Sequence, residues 1–381
     1  MNKLLTSIIC STALFCSCTS TGASDPEAAS TDTLYSPSHA GGFLILRADT
    51  AGSSIIEVYN PWQGAADVTE RLYIDRTPDG TLDVPAGSQI IKGDAKRLVL
   101  MSSTAVAMLD AIGANDRIVG VSGGQYISSP TLKARAAFVA EVGWEGNIDY
   151  ETLLSLKPDL VVVYGVGGPS AMTGKLAEAG IPVFYLGDYL EESPLGKAEW
   201  MVAMGEITGQ RESAVSRFNA IVPEYETIAA RARAIERPRP RVMLNTPYGD
   251  SWFMPGHGSY MSRLVADAGG EYVYADAPDD ASTATIDMET AYRLAASADV
   301  WLNVGDYPTL ASLSRALPKL ADIPAVKTVQ VFSNTARSTP GGGNDFYESG
   351  VVNPHLVLRD LVKIFHPDSV PEEFVYYRQL K

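Results

Sequence analysis

Apolar residues in this chain fall into short runs separated by polar or glycine-containing breaks, and the rhythm changes near residue 95. Between 43 and 74 the runs are Phe43-Leu44-Ile45-Leu46, Ile55-Ile56-Glu57-Val58-Tyr59 and Arg71-Leu72-Tyr73-Ile74. Turn-type residues lie between them, which predicts a small antiparallel β addition over 43–94. From Arg97 onward, strand-like runs alternate with helical ones. Strands are predicted at 97–101, 118–121, 160–164 and 183–186, and helices at 105–112, 151–156 and up to Gly180, which bounds a first lobe at 95–193. Ser102-Ser103-Thr104 supplies the cap that starts the first of these helices. A helical stretch over 194–237 follows, with breaks at Gly209 and Pro223. From Gln210 it spans roughly 28 residues, or about 42 Å, with a kink expected at the proline. A second alternating block occupies 238–381, with strands at 241–245, 272–274, 300–304 and 328–332 and a final helix at 354–365. Such alternation predicts an α/β fold built on parallel sheets covered by helices.

The N-terminal region follows another pattern. Met1-Asn2-Lys3 precedes an apolar run from Leu4 to Phe15, too short for the ~20 residues of a membrane span and suited to a secretory signal over 1–17. The sequence Leu14-Phe15-Cys16-Ser17-Cys18 resembles the bacterial lipobox. That resemblance implies cleavage before Cys18, lipidation there, and a periplasm-facing chain anchored to a bacterial membrane. Cys16 is the second choice, because bulky Phe15 precedes it, and a cleaved signal without lipid is the alternative. Residues 18–42 are rich in Ser, Thr, Ala, Asp and Pro and read as a flexible tether. All three cysteines lie at or before position 18, which excludes disulfides, thiolate metal sites and cysteine nucleophiles from the folded part. The formal net charge of −15 argues against nucleic acid as a partner.

One internal echo links the two blocks. Ile148-Asp149-Tyr150-Glu151-Thr152 and Ile286-Asp287-Met288-Glu289-Thr290 each precede a short helix and then a strand. With Leu156-Lys157-Pro158-Asp159-Leu160, the long helical stretch, Met254-Pro255-Gly256 and the segment from Asn344 to Pro367, they make residues 95–367 resemble the helix-linked (class III) substrate-binding proteins of ATP-driven metal-chelate importers, which serve cobalamin, ferric siderophores and haem. The resemblance implies two sheet-and-helix lobes joined by a long helix, a ligand cleft between them, and a monomer that works with an ABC permease and its ATPase. It also implies that Glu151 and Glu289, one per lobe, meet permease arginines. Paired carboxylates on opposite lobes would fix orientation through charge-assisted hydrogen bonds; the plainer reading is that each glutamate favours the first turn of its helix.

Ligands of open α/β sheets sit beyond the carboxyl ends of the strands. That rule, together with the resemblance, selects Ser103, Tyr126, Trp144, Tyr164, Tyr248, Trp252, Asp345, Phe346 and Tyr347 as ligand-binding candidates. Trp144 resembles the tryptophan that cobalamin-binding members set against the corrin. Asp345-Phe346-Tyr347-Glu348 resembles their cleft loop, although Ser349 stands where those members can carry arginine. Aromatic side chains can stack on a large flat ligand, or they can simply pack in the core. The loops hold almost no Arg or Lys, which disfavours an anionic tris-catecholate siderophore and favours a corrinoid or a hydroxamate chelate. Haem would want His257 or Tyr347 as axial ligand. No protein cofactor and no free metal ion are expected. Gly120-Val121-Ser122-Gly123-Gly124 has the spacing of a nucleophile elbow, but a loop follows it instead of a helix, so a hydrolase is the lesser alternative. An adhesion or scaffold module is a third reading, and it would not need the paired glutamates.

Overall fold

The structure, a computed structural model, describes residues 32–381. The expected signal segment and Cys18 lie outside the described residues. Two five-stranded sheets flank a helical segment. The first has the spatial order Val183–Tyr185, Leu160–Val163, Leu98–Leu100, Ile118–Val121, Ala140–Glu141, with every pair parallel. Its four longer strands are buried along their length, as expected of a parallel sheet with both faces covered. The second has the order Glu271–Tyr272, Arg241–Leu244, Val300–Leu302, Val331–Ser333, Arg378–Gln379. Its last strand is antiparallel and was not anticipated from the sequence. In each sheet the chain order reverses beside the lobe's first strand, and this places a crevice there.

The linking segment comprises three helices, Pro194–Glu199, Met201–Thr208 and Arg211–Arg233. Gly209 takes a positive φ of 74° and ends the second of them. The third is 23 residues long, shorter than the expected 28, and ends before the Arg237-Pro238 sequence that was expected to stop it. Pro223 sits exposed inside this helix without ending it. Ala214, Phe218, Ile221, Tyr225, Ala229 and Ala232 recur three or four residues apart and form its buried face. The Tyr225 hydroxyl donates to Asp267 at 2.9 Å, tying the helix to the second lobe.

The N-terminal addition is a sheet of Thr33–Tyr35, Phe43–Arg47, Ser54–Tyr59, Thr69–Asp75 and Gln89–Lys92, in sequence order. Its first three pairings are antiparallel, whereas the last is parallel, unlike the wholly antiparallel addition expected. The stretch read as tether through residue 42 also departs from expectation, because Thr33–Tyr35 is already a strand. The physical reason lies outside the stretch. Buried Glu199 accepts hydrogen bonds from the Tyr35 hydroxyl (2.7 Å) and from the backbone N–H groups of Ser38 (2.8 Å), His39 (2.7 Å) and Ala40 (2.7 Å). Glu191 accepts from Gly41, Gly42 and the Trp200 indole. A polar segment with too few apolar residues to order itself is ordered by two carboxylates, Glu191 at the end of the first lobe and Glu199 in the linking segment. Among the described residues, no helix is long and apolar enough to cross a membrane.

Candidate ligand-binding cleft

In the first lobe, the strand Leu98–Leu100 runs into Met101-Ser102-Ser103-Thr104, where Ser102 caps the helix Ser103–Ala111 by accepting from the Thr104 N–H. The neighbouring strand Leu160–Val163 ends at Tyr164. These two strand ends border two hollows that share wall residues. One, of ≈ 400 Å³, lies between the lobes and is walled by Ser103, Tyr164, Tyr189, Tyr260, Phe346 and Tyr347, among others. The other, of ≈ 830 Å³, opens over the first lobe against Ser122, Tyr126, Glu141 and Trp144. Both include Ser102, Ser103 and Tyr164. Trp144 is 63% exposed, Tyr126 50%, Tyr347 47% and Tyr164 44%, so aromatic faces stand ready for a ligand from both lobes.

The cations near these walls are already paired. Lys197 is buried and reaches Asp188 at 3.3 Å, with its ammonium over the Tyr260 ring. Arg337 holds Asp345 at 3.0 Å. Glu141 accepts from the backbone N–H groups of Gly123 (2.9 Å), Gly124 (2.6 Å) and Gly143 (3.0 Å), fixing the loop that carries Tyr126. The lobes also touch directly. Glu348, in the second, accepts from the N–H groups of Ser128 (2.5 Å) and Ser129 (2.7 Å) in the first. Burial pushes the Glu348 carboxyl up to about 7, the Ser128 and Ser129 donors oppose this, and the nearby Asp345 and Asp110 add to it. Beside it, the Thr339 hydroxyl donates to the Gln125 carbonyl at 3.1 Å, and Gly343 packs so closely on the Tyr126 carbonyl that a side chain there would collide with it.

Of the residues selected from sequence, Ser103, Tyr126, Trp144, Tyr164, Phe346 and Tyr347 line the two hollows. Three do not. Trp252 is fully buried in the second lobe's core, its indole N–H donating to the Leu244 carbonyl and its ring 5.9 Å from that of Trp301. Asp345 is buried against Arg337. Tyr248 projects into solvent from a tight turn closed on Ser251, away from both hollows. His257, weighed as a haem ligand, borders a different hollow of ≈ 630 Å³ shared with His39, Trp62 and Arg263. Ser122 is followed by a short 3-10 turn, Gly124–Tyr126, and not by the helix a nucleophile elbow requires. Among the described residues, no histidine lines either hollow of the cleft. Glu151 and Glu289 both stand exposed on the first turns of matching helices, Tyr150–Ser155 and Met288–Ala295. Asp149 and Asp287 cap these helices in the same way, each accepting from the N–H three residues on. Sequence reasoning missed Tyr189 and Tyr260 as cleft walls. Tyr189 follows the strand Val183–Tyr185 closely enough for the strand-end rule to have reached it. Tyr260 lies at a helix start and carries no such signal.

The comparisons fit this architecture. The periplasmic binding protein family matches residues 98–337. An uncharacterized lipoprotein of Methanocaldococcus jannaschii is 23% identical over 292 residues, covering 74% of this chain and 67% of that one. A vitamin B12-binding protein of Yersinia pestis is 28% identical over 182 residues, 48% of this chain and 61% of its own. Among solved structures, a periplasmic binding protein from Veillonella parvula aligns with a TM-score of 0.59 at 18% identity, covering 80% of this chain and 97% of that one. A periplasmic heme binding protein from Pseudomonas aeruginosa aligns with the same TM-score and identity over 75% and 98%. The likeness to these two structures is one of fold. With the family matched across both lobes and the linking helix between them, this chain belongs to the periplasmic binding proteins.

Proposed function

We infer that this protein captures a large, flat, near-neutral metal chelate between its lobes and delivers it to the permease of an ATP-driven importer, with a corrinoid as the favoured ligand. One observation carries this reading: the walls at the strand ends are aromatic on both lobes, while Lys197 and Arg337 are each engaged by an aspartate. Aromatic faces supply apolar burial to a macrocycle without demanding charge, whereas a tris-catecholate chelate would need unpaired cations. The vitamin B12-binding relative supports the corrinoid. The chain acts as a monomer, without catalysis and without a cofactor of its own. It is held to the membrane by lipid on Cys18, and Glu151 and Glu289 meet arginines of the permease. Ferric hydroxamates and haem are the alternative ligands, and for haem Tyr347 is the remaining axial candidate in the cleft.

The test is titration of the unlipidated protein with cyanocobalamin, a ferric hydroxamate and haem, following tryptophan fluorescence. Saturable binding of cyanocobalamin alone is expected, and binding of another chelate instead would replace the corrinoid. Docking is tested separately by the double variant Glu151→Arg, Glu289→Arg. Uptake should be lost while ligand affinity stays at the parent value. Undiminished uptake would remove the docking role from these glutamates.

A further inference from the structure

The N-terminal sheet lies outside the region that matches the family, yet the 60–68 loop that it carries touches a residue of the cleft wall. Its strand Thr69–Asp75 lies near the edge strand Val183–Tyr185 of the first lobe, and the Gln89 side chain accepts the Val183 N–H at 2.9 Å. That much covers a sheet edge. The loop between its third and fourth strands does more. Trp62 packs edge-on to Tyr185, ring centroids 5.3 Å apart, and lies against Gly168, where a Cβ would sit 3.1 Å from the indole and the φ of 82° already favours glycine. The adjacent Gln63 N–H donates to the Tyr189 hydroxyl at 3.2 Å, and that hydroxyl donates to the Gly165 carbonyl at 3.3 Å. Tyr189 in turn meets Tyr164 edge-on at 5.7 Å. Tyr164 and Tyr189 are both walls of the cleft.

The segment so held is Tyr164-Gly165-Val166-Gly167-Gly168-Pro169. Three glycines in six residues give it more conformational freedom than any other side chains would. Left alone, it would have to be ordered at the moment of binding, and such ordering is subtracted from affinity.

We propose that Trp62 and Gln63 are positioning residues of the ligand site: the N-terminal sheet braces the glycine-rich 164–169 loop through Tyr185 and Tyr189, so that the Tyr164 wall is ordered before the ligand arrives. The brace rests on contacts within the protein, and its service to binding rests on the cleft reading above.

The test uses the full chain, with Trp62→Ala, Trp62→Phe and Tyr189→Phe. Hydrogen exchange on ligand-free protein is read first. Trp62→Ala should speed exchange of the Gly168 amide, which bonds the Gly165 carbonyl at 3.1 Å, by about tenfold or more, while the amides of Leu160–Val163 keep their protection. Trp62→Phe should restore most of it. Tyr189→Phe keeps the ring and removes only the bridging hydroxyl, so it should speed exchange in the same direction by less, which serves should Trp62→Ala unfold. Titration with cyanocobalamin should then weaken by about three- to tenfold in Trp62→Ala, the scale of ordering one side chain on binding. Unchanged exchange at 164–168 overturns the brace whether or not any chelate binds. Faster exchange with unchanged affinity overturns its service to the ligand. If the parent protein binds no chelate, the corrinoid reading falls, and the exchange result still decides the brace.

Discussion

The two lobes share a plan and use it differently at the point where strand order reverses. In the first lobe, the ends of Leu98–Leu100 and Leu160–Val163 open into the cleft at Ser102, Ser103 and Tyr164. In the second, the ends of Arg241–Leu244 and Val300–Leu302 are sealed. The Trp252 indole donates to the Leu244 carbonyl at 2.8 Å and the Trp301 indole to the Asn245 carbonyl at 2.7 Å. Asn245 and Asn303, just beyond these strands, take positive φ of 67° and 58°, and the Asn303 side chain accepts from the Tyr377 hydroxyl at 2.9 Å. The second lobe instead faces the cleft with Tyr260, Phe346 and Tyr347. The same residue type therefore has opposite uses: a tryptophan whose N–H satisfies a strand-end carbonyl is core, while Trp144, on a two-residue strand of a small hairpin, stays mostly exposed.

This contrast sets the largest expected effect. Trp252→Ala should cost about 3–5 kcal/mol of stability, through the cavity and the unpartnered Leu244 carbonyl it leaves. Trp144→Ala should change stability by less than about 0.5 kcal/mol and weaken chelate binding by about tenfold, the scale of one lost aromatic face. Chemical denaturation and fluorescence titration of both variants decide the matter. A Trp144→Ala protein that unfolds early but binds normally would reverse the assignment of the two tryptophans.

The same pair shows where sequence reading succeeds. Parallel strands buried on both faces are legible because they are unbroken apolar runs, as in Leu160-Val161-Val162-Val163. Helix starts are legible where a capping side chain precedes them, as at Ser102, Asp149 and Asp287. The Trp252–Pro255 and Thr283–Ile286 ribbon was not anticipated, since its two halves lie far apart in sequence and each is short. Nor does a sequence reveal the direction of an aromatic near a strand end, because Trp252 and Trp144 differ in a hydrogen-bond partner that only folding supplies. The ordering of residues 33–42 was hidden for a like reason: its cause, Glu199, is more than 150 residues away.

A smaller effect tests the contact that joins the lobes. Glu348 is neutral in both folded and unfolded chains at low pH. As pH rises above about 4.5, the unfolded chain releases this proton while the folded one keeps it until about 7. The stability linked to the protonated carboxyl is therefore complete below pH 4.5 and lost progressively up to pH 7. Glu348→Gln keeps the shape and removes the titration. Denaturation midpoints of the parent should fall relative to this variant across that window and run parallel above it. Parallel curves throughout would mean that Asp345, Asp110 and burial do not hold this proton on the folded protein.

The smallest effect concerns the one feature the lobes share most closely. Asp149 and Asp287 each accept from a threonine N–H three residues on, at 3.0 and 2.7 Å, and these bonds hold both carboxyls below the usual range. A depressed carboxyl adds stability at neutral pH that is lost as pH falls through its folded value. Asp149→Ala and Asp287→Ala should therefore lower the denaturation midpoint slightly and to similar extents at pH 7, with both differences closing as pH falls below the ordinary carboxylate range. Under the proposed docking role, the caps also orient the helices that present Glu151 and Glu289, so each variant should slow uptake by a comparable factor without touching ligand affinity. A loss of uptake confined to one lobe would show that the echo is local helix chemistry on the other side, and that the permease reads this protein through a single lobe.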